Sequence, residues 1–468
     1  MKASSNDTIT AIATPVGEGG IAVLRISGPD AIPLAAKGFK GRVDLATAAT
    51  HTAHVGKFYN PNGEILDEVV AVVFREPTSY TGENVVEISC HGGILVPRTI
   101  LHALLEYGAR LAEPGEFTKR AFLNSRIDLS QAEAVADLIH AGSERSQRSS
   151  LRQLQGELGQ RIGNLREGLI RAVGLLELEL DFAEEGLEFA DKSKVADQIR
   201  DAVGSIQGLL QSYHTGRLYR DGVKVVLAGM PNVGKSSLLN ALLKEQRAIV
   251  TDVPGTTRDT IEESLSINGL AFRIVDTAGL RDAVDRAEQE GVKRSEDQIN
   301  SSDLLVLVID GSKPLGAEEL KLAERLAKDL RGRASTIVAF NKIDLAPGTN
   351  GALEQRVSTI QPKAVVKVSA LTGEGLEGLR EALVQSALAG QHATSENSVT
   401  VTNARHYQVL AQSAKSLDLA LKSLETGAGG EFVTPDIRAA LDSLGEITGA
   451  VTTDDILDEI FSKFCIGK

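Results

Sequence analysis

Apolar and polar positions follow different periods in different parts of the chain. Residues 1–118 alternate short apolar runs, at 21–26, 69–74 and 85–89, with glycine-rich turns, and one amphipathic stretch covers 94–107. Runs of this length between turn residues indicate strands, and apolar spacing of three and four indicates a helix. The first 118 residues therefore predict a separate α+β domain.

Two proline-free stretches have a helical period instead. No proline occurs between Pro114 and Pro231, and apolar residues fall three and four apart from Leu151 to Leu176. The same spacing returns between Val409 and Leu424 and continues at 437–441. These patterns predict one long helix over 151–176 and helical segments at 119–220 and 386–468.

The region between them, 221–385, alternates strand-like and helix-like runs. Apolar runs at 223–228, 272–275, 336–340 and 365–368 are separated by helical patterns, which predicts an α/β domain with a mostly parallel sheet. Domains are tolerated as insertions where their termini lie close together at an exposed site. The simplest model is one discontinuous all-α domain interrupted by the α/β domain. The alternative is two unrelated helical flanks.

A phosphate-binding loop, G-M-P-N-V-G-K-S-S, follows the first of these strands and leads into a helix. Glycines let the backbone N–H groups surround a diphosphate, a lysine adds a cation at the β- and γ-phosphates, and a serine hydroxyl binds Mg²⁺. The loop residues expected at the nucleotide are Asn232, Val233, Gly234, Lys235, Ser236 and Ser237. Lys235 is also a catalytic candidate, because its charge stabilises the reacting phosphates.

Three further motifs identify the nucleotide as GTP. A second strand ends in D-T-A-G, typical of a segment that contacts Mg²⁺ through water and the γ-phosphate. A third ends in N-K-I-D, whose carboxylate accepts two hydrogen bonds that guanine supplies and adenine does not. The S-A-L that follows the last strand fits a backbone contact to the base. These motifs comprise Asp276, Thr277, Ala278, Gly279, Asn341, Lys342, Ile343, Asp344, Ser369, Ala370 and Leu371. Together they predict a Ras-like P-loop GTPase domain.

The hydrolytic residues are less obvious, because Leu280 stands where small signalling GTPases carry a water-orienting glutamine. Asn232 can hold a monovalent cation against the phosphates, or can simply be a turn residue. Carboxylates in the stretch 282–290 are either a solvated helix face or a water-positioning base. The segment expected to contact the nucleotide as a switch comprises Thr251, Asp252, Val253, Pro254, Gly255, Thr256 and Thr257.

Composition limits the number of domains, the class of protein and its expected location. The 468 residues allow roughly three domains, and 42% hydrophobic with 24% charged residues is ordinary for a globular protein. No signal peptide and no membrane anchor is expected. Two cysteines do not make a disulfide framework, so a cytoplasmic location is expected. A net charge of −13 argues against broad affinity for nucleic acid but allows a local RNA-docking patch.

The chain resembles the MnmE (TrmE) family of bacterial tRNA-modification GTPases over essentially its whole length. The resemblance rests on the GTPase motifs and on D-T-I-T-A-I-A-T-P, L-R-I-S-G, S-Y-T-G-E, H-G-G, P-G-E-F-T-K-R-A-F-L-N and the terminal F-C-I-G-K. It implies a GTPase that adds an aminomethyl or carboxymethylaminomethyl group at carbon five of the wobble uridine of certain tRNAs. It further implies tetrahydrofolate as the one-carbon source.

The resemblance also implies partners and an ionic requirement. Members form a homodimer through the N-terminal domain and a hetero-oligomer with an FAD-containing partner protein, and their GTPase domains pair in a potassium-dependent way. The implied domains are 1–118 for tetrahydrofolate binding and dimerisation, 119–220 and 386–468 for the two helical halves, and 221–385 for the GTPase.

Site residues follow from the resemblance position by position. Arg25, Glu87 and Lys468 match folate contacts, and Arg126 stands where that contact is usually lysine, which keeps the charge but changes the geometry. Ser236 and Thr257 match Mg²⁺ ligands. Glu288 matches the catalytic glutamate. The implied potassium ligands are Asn232, Thr251, Val253 and Thr256.

Cys465 has two interpretations. Prenylation is disfavoured, because Gly467 and Lys468 do not suit the signal and the preceding stretch is acidic. The resemblance matches Cys465 to a position needed for modification, either as a nucleophile or through packing near the folate site.

Two other function classes share the nucleotide motifs. A ribosome-assembly or other RNA-associated GTPase would be expected to carry a basic RNA-binding module. A self-assembling mechanical GTPase would need a membrane-facing basic or lipid-anchored element. The sequence shows neither feature.

Overall fold

The computed structural model describes residues 7–181, 192–245, 262–276, 301–329, 335–345, 357, 360–389 and 399–468. The chain divides into two compact units. One comprises Met1–Ala136, Gln153–Ala202 and Lys415–Lys468, and the other comprises Asp137–Arg152 and Val203–Ala414. None of the described helices is long and apolar enough to cross a membrane.

The N-terminal segment forms a seven-stranded sheet with two helices. Its strands have the order β3-β4-β5-β6-β2-β1-β7, and every neighbouring pair is antiparallel except β1 with β7. The elements are β1 (Ile9–Ile12), β2 (Ile21–Ser27), α1 (Ala31–Gly38), β3 (Phe39–Gly41), β4 (Thr52–Tyr59), β5 (Ile65–Phe74), β6 (Val85–His91), α2 (Leu95–Glu106) and β7 (Arg110–Leu111). The predicted α+β domain, with its three strands and its helix, is confirmed.

Along β2, buried core side chains alternate with side chains on the opposite face of the sheet. Leu24 and Ile26 are fully buried in a core shared with α2, to which α2 contributes Ile100 and Leu104. Because side chains alternate along a strand, Arg25 points to the face opposite Leu24. There it stands directly across from Glu87 in β6.

Five helices follow: α3 (Glu116–Leu123), α4 (Leu129–Ile139), α5 (Glu144–Leu154), α6 (Glu157–Asp181) and α7 (Lys192–Asp221). The prediction of a single helix over 151–176 is wrong, because α5 ends before Gly156 and α6 begins after it. Gly156 has a φ of +85°, which is incompatible with a continuous right-handed helix.

The inserted region forms a six-stranded sheet of order β13-β12-β11-β8-β10-β9, parallel except for the β9–β10 hairpin. Both faces of β8 are buried, in agreement with its continuous apolar run. The elements are β8 (Val223–Ala228), α8 (Lys235–Glu245), β9 (Glu262–Ile267), β10 (Leu270–Asp276), β11 (Leu304–Asp310), α9 (Ala317–Asp329), β12 (Ser335–Asn341), β13 (Ala364–Lys367) and α10 (Leu376–Leu388). The mostly parallel α/β domain is confirmed.

The chain then returns to helices: α11 (Ala404–Glu425), α12 (Gly430–Thr448) and α13 (Asp454–Phe461). Helices from before and after the insertion pack together. α6 lies against α12, where Arg438 forms an ion pair with Glu177. The ring of Tyr213 in α7 stacks on Tyr407 in α11 with centroids 4.6 Å apart. The helical domain is therefore discontinuous, as the interrupted-domain model predicts.

Candidate functional site

The nucleotide loop lies between β8 and α8, as predicted. Gly234 has a φ of +93°, and a β-carbon there would lie 2.4 Å from Asn341 Nδ2. Only glycine fits this position, because a side chain would meet both backbone strain and a steric clash. The loop leads directly into the N-terminus of α8, where backbone N–H groups can bind an anion such as a phosphate group.

The ammonium of Lys235 is held by the loop itself. Its Nζ atom donates to the carbonyl oxygens of Gly229 and Met230 at 3.1 and 3.0 Å, and the residue is 7% exposed. These contacts place a cation at the loop, where it can interact with phosphate oxygens. The arrangement fits the role predicted for Lys235.

Asn341, the last residue of β12, joins two predicted motifs. Its Nδ2 donates to the carbonyl of Val233 at 2.9 Å, and its Oδ1 accepts from the N–H of Ala370 at 3.0 Å. The side chain therefore connects the phosphate loop to the S-A-L segment. The structure brings these motifs together although they are far apart in the sequence.

The carboxylate of Asp344 is oriented by the S-A-L segment. Ser369 Oγ donates to Asp344 Oδ1 at 2.6 Å and accepts from the N–H of Thr372 at 3.2 Å. Ser369 is fully buried, whereas Leu371 is 85% exposed. A fixed carboxylate beside an exposed loop is suited to reading two donors on one edge of a base.

Asp310 is a site residue that the sequence interpretation missed. Lys342 Nζ donates to Asp310 Oδ2 at 2.9 Å and to the carbonyl of Asn232 at 2.7 Å. Burial alone would raise the pKa of Asp310, but hydrogen bonds from Ser312 and Lys342 outweigh it, so the pKa is lowered. A signal was available, because Asp310 ends an apolar strand as Asn341 does.

Asn232 meets the requirements of a turn residue. Its φ is +62°, a conformation that asparagine tolerates better than most residues, and its carbonyl accepts from Lys342. The side-chain amide is exposed and hydrogen-bonds to no other residue in the described part of the chain. The turn role thus leaves the amide oxygen available to a cation.

Several predicted residues lie outside the described residues. For Asp276 the structure gives only the backbone, which ends β10 beside Leu227. Among the residues described, no group of three or more His, Cys, Asp or Glu side chains is placed to hold a metal. The predicted positions outside the description are Thr251, Asp252, Val253, Pro254, Gly255, Thr256, Thr257, Thr277, Ala278, Gly279 and Glu288.

A second polar site lies on the N-terminal sheet. Arg25 donates from Nε and Nη2 to the same oxygen, Glu87 Oε1, at 2.9 and 2.7 Å. Arg25 Nη1 is buried without a hydrogen-bond partner. Within the described residues, Glu87 Oε2 also accepts no hydrogen bond. One donor and one acceptor of this ion pair therefore have no protein partner among the described residues.

Lys468 lies within electrostatic reach of this pair. Burial lowers the pKa of Lys468, the charge of Arg25 lowers it further, and Glu87 and Cys465 oppose the shift. The C-terminal tail is anchored by the N–H of Gly115, which donates to the carbonyl of Cys465 at 3.4 Å. The Cys465 side chain is exposed. Gly467, which precedes Lys468, lies against Ile12 and Ala13 at the end of β1, and β1 pairs with β2 beside Arg25. The structure therefore brings the C-terminal lysine to the part of the sheet that carries Arg25 and Glu87.

Arg126 is the predicted folate contact that the structure does not join to the others. Its side chain is exposed, and its Cγ atom lies near the backbone of Gly82. No described contact links Arg126 to Arg25, Glu87 or Lys468.

Comparisons with known proteins cover the whole chain. Residues 8–126 match the family model "GTP-binding protein TrmE N-terminus", and residues 129–465 match "MnmE helical domain". A "tRNA modification GTPase MnmE" from Salinibacter ruber is 45% identical over 99% of this chain and 100% of its own length. One from Syntrophotalea carbinolica is 44% identical over the same shares. The solved G domain of the T. maritima FeoB iron transporter matches 35% of this chain and 98% of its own, at 32% identity and a TM-score of 0.26.

Proposed function

This chain belongs to the MnmE family of tRNA modification GTPases, and we propose that it uses a tetrahydrofolate one-carbon unit to modify C5 of the wobble uridine. The added group is aminomethyl or carboxymethylaminomethyl, and GTP hydrolysis in the inserted domain accompanies the reaction. The activity of a GTP hydrolase in tRNA modification follows from the family. The folate, the flavoprotein and the potassium ion are the proposed parts.

The observation that carries the folate proposal is the convergence of Arg25, Glu87 and Lys468. A reduced folate presents N–H donors on its aminopyrimidinone ring together with carbonyl and carboxylate acceptors. Glu87 Oε2 can accept from such donors, and Arg25 Nη1 and the Lys468 ammonium can donate to such acceptors. The donor and acceptor set thus fits this class of ligand.

For GTP, the proposed site combines the phosphate loop around Lys235 with the guanine-reading carboxylate of Asp344. Ser236 and Thr257 are the proposed Mg²⁺ ligands, and the bound metal would neutralise charge on the phosphates. Asn232, Thr251, Val253 and Thr256 are proposed to hold potassium. The side-chain amide of Asn232, which is exposed and has no hydrogen-bond partner among the described residues, supports this assignment.

We further propose a homodimer through the N-terminal domain. Exposed apolar side chains of Val16, Ile21 and Ile94 line one cavity of about 160 Å³ on this domain, beside the 73% exposed Leu95. An apolar patch of this kind is typical of a protein interface. The FAD-containing partner, the tRNA substrate and a cytoplasmic location rest on the family, and the unpaired thiols Cys90 and Cys465 agree with that location.

The decisive experiment compares folate binding with modification. Isothermal titration of the nucleotide-free full-length protein with tetrahydrofolate should show binding, and Arg25→Ala should weaken it about tenfold or more, because a charged hydrogen bond is lost. GTP hydrolysis by this variant should stay near the wild-type rate. Mass spectrometry of tRNA nucleosides in a deletion strain should show loss of the wobble-uridine modification. The wild-type gene should restore it, and the Arg25→Ala gene should not.

Arg42→Ala is the matched control, because Arg42 is an exposed arginine of the same domain. It should leave tetrahydrofolate affinity and modification unchanged. Equal affinity in wild type and Arg25→Ala would remove the folate assignment. A deletion strain with a complete set of wobble-uridine nucleosides would instead point to a ribosome-assembly or other RNA-associated GTPase.

A further inference from the structure

Two aromatic rings hold Arg25 in addition to its ion pair with Glu87. Its guanidinium carbon lies 4.9 Å from the ring centroid of Tyr80 and 5.6 Å from that of Phe117. Both distances are within the range of cation–π attraction. The two rings and the carboxylate leave Nη1 as the one terminal nitrogen of Arg25 without a hydrogen bond in the described structure.

The Tyr80 ring is itself fixed at its far end. The Tyr80 hydroxyl is 2.8 Å from Thr118 Oγ1, and Thr118 is fully buried in α3. Burial raises the pKa of Tyr80, against the smaller lowering effects of Thr118 and Arg25. The phenol is therefore neutral at physiological pH, and its hydrogen bond to Thr118 persists there.

The loop that carries Tyr80 is tied to the sheet and to α3. Thr81 Oγ1 lies 2.7 Å from Ser27 Oγ, and the carbonyl of Thr81 accepts from Asn124 Nδ2 at 2.8 Å. Glu83 accepts from Ser27 at 2.7 Å and pairs with the buried Arg120 at 3.3 Å. Residues of L-R-I-S-G, S-Y-T-G-E and P-G-E-F-T-K-R-A-F-L-N thus form one network around Arg25.

We propose that Tyr80 is a positioning residue for the folate site, which directs Nη1 of Arg25 toward the ligand. The proposal rests on the proposed folate function, and it assigns Tyr80 a role through Arg25. An unrestrained arginine loses side-chain entropy when it binds a ligand. A guanidinium already fixed by Tyr80 avoids part of that loss at the binding step.

Tetrahydrofolate titration of four full-length variants tests this role. Tyr80→Leu removes the ring and should weaken binding about tenfold, within the range expected for a desolvated cation–π contact. Tyr80→Phe keeps the ring but loses the hydrogen bond to Thr118, and should bind about threefold more weakly than wild type. Thr118→Val keeps the side-chain volume at position 118 but removes the hydrogen bond to the Tyr80 hydroxyl. It should weaken binding about threefold. Tyr59→Leu removes a similar contact, 4.6 Å from Lys40, and should change nothing.

A spectroscopic readout separates positioning from general stability. The ¹⁵N Nε–Hε resonance of Arg25, assigned by its loss in Arg25→Lys, should carry a ring-current shift from Tyr80. That shift should disappear in Tyr80→Leu and remain in Tyr80→Phe, while GTP hydrolysis stays at the wild-type rate in both.

The outcomes distinguish the two proposals. If the wild type does not bind tetrahydrofolate, the proposed function fails. If it binds, and Tyr80→Leu binds equally well with the Arg25 resonance unmoved, the positioning role is overturned. If Tyr80→Leu does not fold, Thr118→Val decides, and an unchanged affinity in that variant overturns the role.

Discussion

Asn341 shows how one side chain determines the geometry of the nucleotide site. Its carboxamide offers a donor and an acceptor, and both are used, toward Val233 and Ala370. The residue is 1% exposed, so a replacement that lost either function would leave a buried polar group unpaired, at a cost of about 1–3 kcal/mol. Its amide thereby connects the phosphate loop to the S-A-L segment, whose Ser369 hydrogen-bonds to the Asp344 carboxylate.

Base specificity gives the first prediction. Asp344→Asn replaces a carboxylate that accepts two hydrogen bonds with an amide that has one acceptor, so GTP affinity should fall by several kcal/mol. Binding should recover with xanthosine triphosphate, whose base edge complements the amide. Affinities for both nucleotides, measured by fluorescence titration, check the exchange.

Asp418→Asn is the control for this exchange, because Asp418 is an exposed aspartate of α11. It should alter neither affinity. If Asp344→Asn retained wild-type affinity for GTP, Asp344 would not be the base-reading residue.

The two cysteines should differ sharply in reactivity. Burial, with a smaller contribution from Asp67, raises the pKa of the Cys90 thiol to about 11, and Cys90 is 3% exposed, whereas Cys465 is exposed. Since the thiolate is the reactive form, a disulfide reagent at pH 8 should modify one thiol per chain rapidly. Cys465→Ser should abolish this fast phase and Cys90→Ser should retain it; two fast thiols in the wild type would contradict the assignment.

For single residues, motifs predict a role in the site only when the residue's partners are near in sequence or belong to a known pattern. The elements that carry the phosphate loop, N-K-I-D and S-A-L could be predicted. The pairing of Tyr80 with Arg25 could not, because it joins a loop to a strand far away in the chain. Asp310 lies between these cases, since its position at the end of an apolar strand was visible but its partner Lys342 was not.

Among the elements, the break between α5 and α6 shows where periodicity fails as a guide. The apolar spacing continues through the break, and α6 itself contains glycines, such as Gly163 and Gly168, that do not interrupt it. The positive φ of Gly156 ends α5, and a tertiary contact supports the break. Gln131 Nε2 donates to the carbonyl of Leu154 at 2.8 Å, which satisfies a carbonyl that a continuous helix would otherwise pair.

Gly156→Ala tests this account. The φ of +85° at Gly156 costs an alanine roughly 1–2 kcal/mol, so the midpoint of thermal unfolding should fall. Gly163→Ala is the matched control inside α6, where a β-carbon would meet nothing within 4 Å. That variant should gain about 0.5–1 kcal/mol. Differential scanning calorimetry measures both, and equal shifts of the same sign would show that Gly156 has no special role.

Over the whole molecule, the return of the chain to its helical domain was predictable but its packing was not. Two proline-free stretches with helical spacing flank the GTPase motifs, which is enough to favour a single interrupted domain. The pairing of α6 with α12 and of Tyr213 with Tyr407 depends on which faces meet in three dimensions. Sequence periodicity gives the apolar face of each helix and not its partner.

The largest-scale prediction concerns potassium and the pairing of two GTPase domains. Leu280 supplies no group to orient water, and the sequence identifies no arginine finger, so another cation is needed to stabilise the transition-state charge. Potassium held by the exposed amide of Asn232 and the 251–257 segment can supply that charge. Potassium bound at this segment would also help to form a surface for the second GTPase domain. Replacing potassium with sodium should therefore reduce both the GTPase rate and the pairing.

Steady-state rates in each salt, with light scattering of a transition-state-mimic complex, measure these two effects separately. Asn232→Ala should lower rate and pairing together, because it removes a cation ligand. Glu288→Ala should lower the rate alone, by about 10²–10⁴-fold, because it removes a base and leaves the ion in place. The loss of both rate and pairing in Asn232→Ala, against the loss of rate alone in Glu288→Ala, distinguishes a potassium site that assembles the dimer from a residue that acts only on water. A wild-type rate that is the same in sodium and potassium would rule out the mechanism.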